Sequence, residues 1–175
     1  MSVVQIVPDT KDWTWVLDRV CDECGYDAKA VRRHGVPSTI RRNAAEWLQV
    51  LATPEVRRRP SARTWSPLEY GCHVRDVFRL YDQRLGWMLE RDDPTFDNWD
   101  QDDAARSGGY HRQDPALVGP ELTAAGAAVA TTYDGVRDLA WDRTGRRSNG
   151  SEFTVLSLGR YLLHDLYHHL YDVGA

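Results

Sequence analysis

Three histidines carry the clearest chemical signal in the sequence. His164 and His168 lie four residues apart in the segment 161–171, which reads YLLHDLYHHLY. This spacing puts both imidazoles on one face of a helix, about one turn apart, where they can chelate a metal ion. His73, in another amphipathic segment, is the best-placed third ligand. If the three converge, they leave coordination positions open, as catalytic metal sites do.

The polar neighbours of these histidines are predicted to have lesser roles. His169 is rotated by about 100° from His168, so it cannot join the same ion and is interpreted as a surface residue or a neighbour of a ligand. Asp165 points off the predicted metal face, where it would pair with a nearby cation. Asp76 could accept the second ring N–H of His73, although an exposed carboxylate paired with an arginine is the alternative. Histidines of the core or surface, without a metal, also stay open.

The chain has three cysteines, Cys21, Cys24 and Cys72. Their odd and low number does not suit a disulfide scaffold and favours a reducing compartment. Cys21-Asp-Glu-Cys24-Gly25 resembles half of a zinc knuckle, but a closed structural site needs four ligands and no second Cys-x-x-Cys exists. We therefore predict a helix end with Gly25 in a left-handed cap and two buried thiols. A metal or redox role is the alternative, and Cys72 is predicted to be a packing residue.

Composition excludes several classes of function. The 175 residues, 42% hydrophobic and 27% charged, fit one globular domain over residues 1–175. A net charge of −4 disfavours a nucleic-acid partner. The sequence contains no phosphate-binding glycine loop, no Gly-x-Ser-x-Gly elbow and no His-Glu-x-x-His. No leader pattern and no bilayer-length apolar run are present, so we expect a cytoplasmic protein without a membrane partner.

The predicted elements are helices. Ser66 can cap a helix, Pro67 suits its first position and Glu69 completes a capping box, so a helix should run over residues 67–91. Hydrophobic periodicity predicts four more helices, over residues 12–20, 37–53, 115–139 and 154–173. The connections 92–114 and 143–150 are long or rich in turn residues. These features predict an all-α four-helix bundle with long crossover loops and a short N-terminal helical extension, residues 1–35, packed on it.

The chain resembles the DinB/YfiT-like superfamily of metalloenzymes. These four-helix bundles bind a divalent metal through one histidine of the second helix and a His-x-x-x-His pair of the last helix. The resemblance covers nearly the whole chain, and actinobacterial members share the Cys-x-x-Cys-Gly segment. It implies that His73, His164 and His168 are the metal ligands. It rests on segments 65–69 with His73, 98–102, and 153–173.

The resemblance also implies chemistry. Some family members are thiol S-transferases that use mycothiol or bacillithiol, and one is a mycothiol-dependent maleylpyruvate isomerase. That isomerase has a glutamate at one ligand position and a further C-terminal domain, so S-transfer is favoured over isomerisation here. We expect a divalent metal, zinc above nickel, iron or copper, to present a mycothiol-like thiol as a thiolate to an electrophilic small-molecule substrate.

Other possibilities stay open at this stage. A metal-dependent hydrolase would use bound water instead of a thiol, and a carboxylate near the metal would act as its base. A non-catalytic metal or small-molecule binding protein could use the same ligands, and the chain could form a homodimer. Trp99, Tyr110 and Tyr161 are candidates for pocket walls, with packing roles as the alternative.

Overall fold

The computed structural model describes Ile6 and residues 11–175. Five α-helices follow one another in this part of the chain: α1 (Val36–Leu51), α2 (Pro67–Glu90), α3 (Gln101–Ser107), α4 (Pro115–Asp134) and α5 (Val155–Asp172). Three short strands, β1 (Thr95–Phe96), β2 (Thr144–Arg147) and β3 (Glu152–Thr154), form a small sheet. In it β2 pairs in parallel with β1 and antiparallel with β3.

Capping boxes start the two helices that matter most for the site. Ser66 accepts from the backbone N–H of Glu69, whose carboxylate accepts from the N–H of Ser66 at 2.9 Å. Thr154 and Ser157 make the same reciprocal pair at the start of α5. Each box satisfies amide groups that the first helical turn would leave without a partner, and so fixes where the helix begins.

The four long helices pack as a bundle in which α4 and α5 each contact both α1 and α2. Large apolar side chains fill the centre, among them the fully buried Trp47, Phe78, Leu122, Leu158 and Leu162. Helix α4 approaches its neighbours closely at Gly126, where a Cβ would lie 3.0 Å from the Cβ of Ala44 and 3.2 Å from the ring of Phe78. Helices α2 and α5, which carry the histidines, also contact each other along one side of the bundle.

The predicted all-α bundle is confirmed, with local differences from the predicted elements. The predicted helix 12–20 is wrong: only a 3₁₀ turn, Thr14–Leu17, forms there, and the chain turns again at Cys21, whose N–H donates to the carbonyl of Tyr26. The helix predicted to reach residue 139 ends at Asp134, with Gly135 as its C-cap. The connection predicted as a turn at 143–150 forms strand β2 and its hairpin.

The remaining connections between the long helices contain short helices and strands. The segment predicted as a long loop, 92–114, contains β1 and α3. Residues 11–35 form three 3₁₀ turns, and Tyr26 OH donates to the carbonyl of Arg160 on α5 at 2.8 Å. Residues 1–5 and 7–10, part of the predicted N-terminal extension, lie outside the described residues, so the single domain over 1–175 stays a prediction. No helix of the described chain has the length and apolarity to span a membrane.

Candidate metal centre

The histidines of α5 belong to two separate groups of ligand atoms. In the first group, His73, Asp165 and His169 offer ligand atoms that all lie within 4.8 Å of one another. In the second, Cys21 and Cys24 meet His164 and His168 within the same limit. We call these groups the carboxylate cluster and the thiol cluster. Both pairs on α5 have the i, i+4 spacing, and they lie side by side on the helix surface.

In the carboxylate cluster, Asp165 lies between two imidazoles. Its Oδ2 is 3.6 Å from Nε2 of His73, and its Oδ1 is 3.6 Å from Nε2 of His169. These distances exceed a hydrogen bond but approach the separation of about 3.4 Å between nitrogen and oxygen ligands of a tetrahedral zinc ion. The three groups are thus spaced as ligands around an ion.

Hydrogen-bond partners are missing where a metal would bind. Both ring nitrogens of His73 and Oδ2 of Asp165 are buried without a hydrogen-bond partner among the described residues. His73 is only 1% exposed, so water does not compensate for the missing bonds. A buried polar atom without a partner costs free energy, and a bound cation at this cluster would remove that cost. The residues present therefore fit a divalent metal.

A carboxylate at the end of α5 orients His169. Nδ1 of His169 lies 2.9 Å from Oδ2 of Asp172, which leaves Nε2 facing Asp165. A ligating histidine usually donates its second N–H to a carboxylate or carbonyl in this way, and the donation fixes the tautomer and the ring plane. Asp172 therefore contacts His169 in the way that the sequence analysis proposed for Asp76 and His73.

Electrostatics favour protonation states that bind metals. Burial lowers the pKa of His73, so its ring is neutral at neutral pH and can donate a lone pair. Burial also lowers the pKa of His164, to about 4. For Asp165, burial acts to raise the pKa, but the nearby His169 and His73 outweigh it and lower the value to about 2. Asp165 is therefore an anion, and the imidazoles of His73 and His164 are neutral at neutral pH.

A cavity of about 510 Å³ opens beside both clusters. Asp165 and His169 lie in its wall, and so do His164 and His168. Trp99 also lines it and stacks on His73, with ring centroids 5.4 Å apart. The cavity is mostly polar at its other walls, which are lined by Lys11, Asp12, Asp100, Asp102, Arg147 and Tyr161, among others.

The structure separates residues that the sequence analysis joined. His164 and His168 lie together as predicted, but His73 lies with Asp165 and His169 instead. The metal role of all three predicted histidines stays a prediction. The sequence analysis missed Asp165 and His169 as partners of His73, although their i, i+4 spacing equals that of the predicted pair. It also missed the approach of the Cys-x-x-Cys segment to α5.

Of the other residues predicted at the site, some line the cavity and some do not. Asp76 accepts hydrogen bonds from Tyr110 OH at 2.6 Å and Arg75 Nε at 2.9 Å. Tyr110 is buried against α2 and does not line the cavity, unlike Trp99 and Tyr161. The connections containing α3 and β2 supply cavity residues, as the sequence analysis expected of covering segments.

Comparisons with known proteins agree on the architecture. The sequence profile of the DinB superfamily matches residues 38–173. Among solved structures, the chain is similar to YfiT from Bacillus subtilis, described as a probable metal-dependent hydrolase with an unusual four-helix bundle topology. The TM-score is 0.71 at 14% identity, over 79% of this chain and 82% of that chain, a likeness that concerns the fold alone. No curated protein matches the chain.

Proposed function

The chain belongs to the DinB superfamily, and we propose that it is a metal-dependent enzyme whose divalent cation is held by His73, Asp165 and His169. The observation that carries this proposal is the set of buried ligand atoms, in His73 and Asp165, that have no hydrogen-bond partner among the described residues. Two imidazoles and one carboxylate supply three protein ligands, which leaves at least one coordination position for a reactant. A cation bound there would polarise a substrate oxygen and lower the pKa of a bound water or thiol.

The chain's own groups would support such a reaction. Asp172 would accept the Nδ1–H of His169 and so leave the Nε2 lone pair of this ring for the ion. Trp99 and Trp65 flank the ring of His73, at centroid distances of 5.4 and 5.3 Å, and shield it from water. A fixed ligand set of this kind would stabilise charge that develops on the reacting group.

Hydrolysis is the reaction class that the cavity favours. A hydrolase needs a carboxylate near the reactants to accept a proton from water. Asp12, Asp100 and Asp102 lie in the cavity wall in addition to the ligand Asp165. Arg147, whose Nε has no hydrogen-bond partner among the described residues, lines the same cavity and could bind an anionic part of the substrate. YfiT, the structural relative described above, is also described as a probable hydrolase.

Transfer of a low-molecular-weight thiol is the second candidate. The cavity of about 510 Å³ has room for a cofactor-sized molecule, and its polar walls suit one rich in hydroxyl groups, such as mycothiol. In this reaction the thiol replaces water as the nucleophile, and Asp12, Asp100 and Asp102 would bind its polar groups instead of accepting a proton.

One experiment separates these functions. The zinc-loaded, chelator-treated and reloaded proteins are assayed with chromogenic carboxyl and phosphate esters, and with an aromatic chloride plus mycothiol. Metal-dependent ester cleavage supports hydrolysis, and metal-dependent conjugation supports S-transfer. Asp165→Asn should abolish either activity, whereas Asp134→Asn, at the exposed pair of Asp134 with Arg41, should not. If no reaction depends on the metal, a binding protein is the better explanation.

A further inference from the structure

The thiol cluster joins two distant parts of the chain. Cys21 and Cys24 come from the N-terminal segment, and His164 and His168 come from α5. We infer that these four residues form a second, closed zinc site, distinct from the carboxylate cluster, which fastens the N-terminal segment to the bundle. Two cysteines and two histidines are an established ligand set for structural zinc, and four protein ligands leave no position for a substrate.

Distances within the thiol cluster suit one tetrahedral ion. Sγ of Cys21 lies 3.8 Å from Nδ1 of His168. Sulfur and nitrogen ligands of a tetrahedral zinc ion lie about 3.6 Å apart, close to this distance, and the four ligand atoms all lie within 4.8 Å of one another. Nε2 of His164 has no hydrogen-bond partner among the described residues, although this residue is only 3% exposed. An ion bound by this nitrogen would give it its missing partner.

The surroundings of His168 select the nitrogen that would bind. Its Nε2 lies 3.6 Å from Oε2 of Glu23 and 3.8 Å from Oδ1 of Asp172, while Nδ1 faces Cys21. Carboxylates beside the far nitrogen favour a proton there and leave the Nδ1 lone pair for the metal. The indole of Trp13 covers both histidines, with centroid distances of 5.3 Å to His164 and 4.8 Å to His168.

The backbone holds the two cysteines in a tight turn. The N–H of Gly25 donates to the carbonyl of Cys21 at 2.9 Å, and the N–H of Cys21 donates to the carbonyl of Tyr26 at 2.9 Å. Gly25 has a φ of +73°, a conformation that glycine adopts without steric cost. The hydroxyl of Tyr26 in turn donates a hydrogen bond to the carbonyl of Arg160 on α5. The turn is thus positioned against α5 by contacts that do not involve a metal.

Charge balance also favours this ligand set. Two thiolates and two neutral imidazoles carry two negative charges, which match one Zn²⁺, so the occupied site is neutral in a largely buried environment. The carboxylate cluster shares no residue with it. Because Lys11, Asp12 and Trp13 lie in the wall of the cavity, fastening this segment also fixes one side of the cavity.

The test uses the full-length protein loaded with Co²⁺, whose spectrum reports sulfur ligands. We expect a sulfur-to-cobalt charge-transfer band in the wild type. The Cys21→Ser/Cys24→Ser variant should lack this band and should bind one equivalent of metal less than the wild type. Cys72→Ser is the matched control, because Cys72 is buried in α2 outside the cluster and should leave the band unchanged. A wild-type protein without the band, or a double variant that keeps it, would overturn the inference.

Two further measurements keep the test independent of folding and of the proposed function. In the wild type, zinc should slow alkylation of Cys21 and Cys24 at least tenfold, as mapped by mass spectrometry, and a chelator should restore it. Equal rates with and without zinc, or a disulfide that forms between the two cysteines in zinc-loaded protein, would count against the site. The sulfur band should persist in His73→Ala even though that variant loses the metal of the carboxylate cluster.

Discussion

His164 and Asp165 are consecutive residues of α5, yet their side chains belong to different clusters of ligand groups. Successive helical residues are rotated by about 100°, so each of the two starts its own i, i+4 pair, His164 with His168 and Asp165 with His169. One pair faces the N-terminal segment and the other faces His73 of α2. A single helix therefore supplies side chains to both the carboxylate cluster and the thiol cluster.

The first prediction concerns metal content. The carboxylate cluster is called the open site below, because its three protein ligands would leave coordination positions free. Removal of any one of these ligands, in His73→Ala, Asp165→Asn or His169→Ala, should therefore lower bound zinc by about one equivalent. Elemental analysis of the purified variants measures this change. His111→Ala, at an exposed histidine, should keep the wild-type content. Full zinc content in Asp165→Asn would contradict this ligand set.

The second prediction concerns Asp172, whose Oδ2 lies 2.9 Å from Nδ1 of His169 and whose Oδ1 lies 3.8 Å from Nε2 of His168. Asp172→Asn should weaken zinc binding at the open site by about 10- to 100-fold while keeping its stoichiometry at saturating zinc, because the ligand is less well oriented but still present. Competition with a chromophoric chelator gives the affinity, measured in the Cys21→Ser/Cys24→Ser background so that the thiol cluster does not contribute. Asp134→Asn, near the end of α4, is the control. An unchanged affinity would mean that Asp172 does not orient the ligand.

Much of the fold could be predicted from the sequence because its determinants are local. Ser66, Pro67 and Glu69 fix the start of α2, and hydrophobic periodicity gives the extent of the long helices within a few residues. The prediction of a helix over 12–20 failed because the local pattern does not show that the chain turns again at Cys21, whose N–H donates to the carbonyl of Tyr26. The end of α4 was missed although Gly135 marks it.

The grouping of ligands could not be read from the sequence in the same way. The spacing of His164 and His168 equals that of Asp165 and His169, so the pattern fits two rotations of α5 about its axis. The packing of buried residues such as Leu162 and Leu166 selects one of them. The sequence did contain one signal for the thiol cluster. The Cys-x-x-Cys segment and the His-x-x-x-His pair each supply two ligands, and a closed zinc site needs four.

The third prediction tests the packing of α4 against α1 and α2. Alanine is preferred over glycine inside a helix by about 1 kcal/mol, so Gly86→Ala, where a Cβ meets nothing within 4 Å, should stabilise the protein. Gly126→Ala should instead lower the free energy of unfolding by about 1 kcal/mol, because Ala44 and Phe78 must move. Urea unfolding of both variants measures the difference. Equal stabilisation by the two substitutions would show that the helices do not approach closely at Gly126.

The last prediction distinguishes water from a thiol as the reactant at the open site. The cobalt-loaded wild type is titrated with mycothiol, and difference spectra remove the constant contribution of Cys21 and Cys24. If the protein is a hydrolase, mycothiol should leave the difference spectrum flat, whereas azide should shift the cobalt bands, because a small anion can take the open position. If it is an S-transferase, mycothiol should add a charge-transfer band and release about one proton per site. In His73→Ala, which lacks a ligand of the open site, neither reagent should change the spectrum. A response that survives this substitution would place the reactant at another metal ion and would contradict the assignment of His73, Asp165 and His169 as the reactive site.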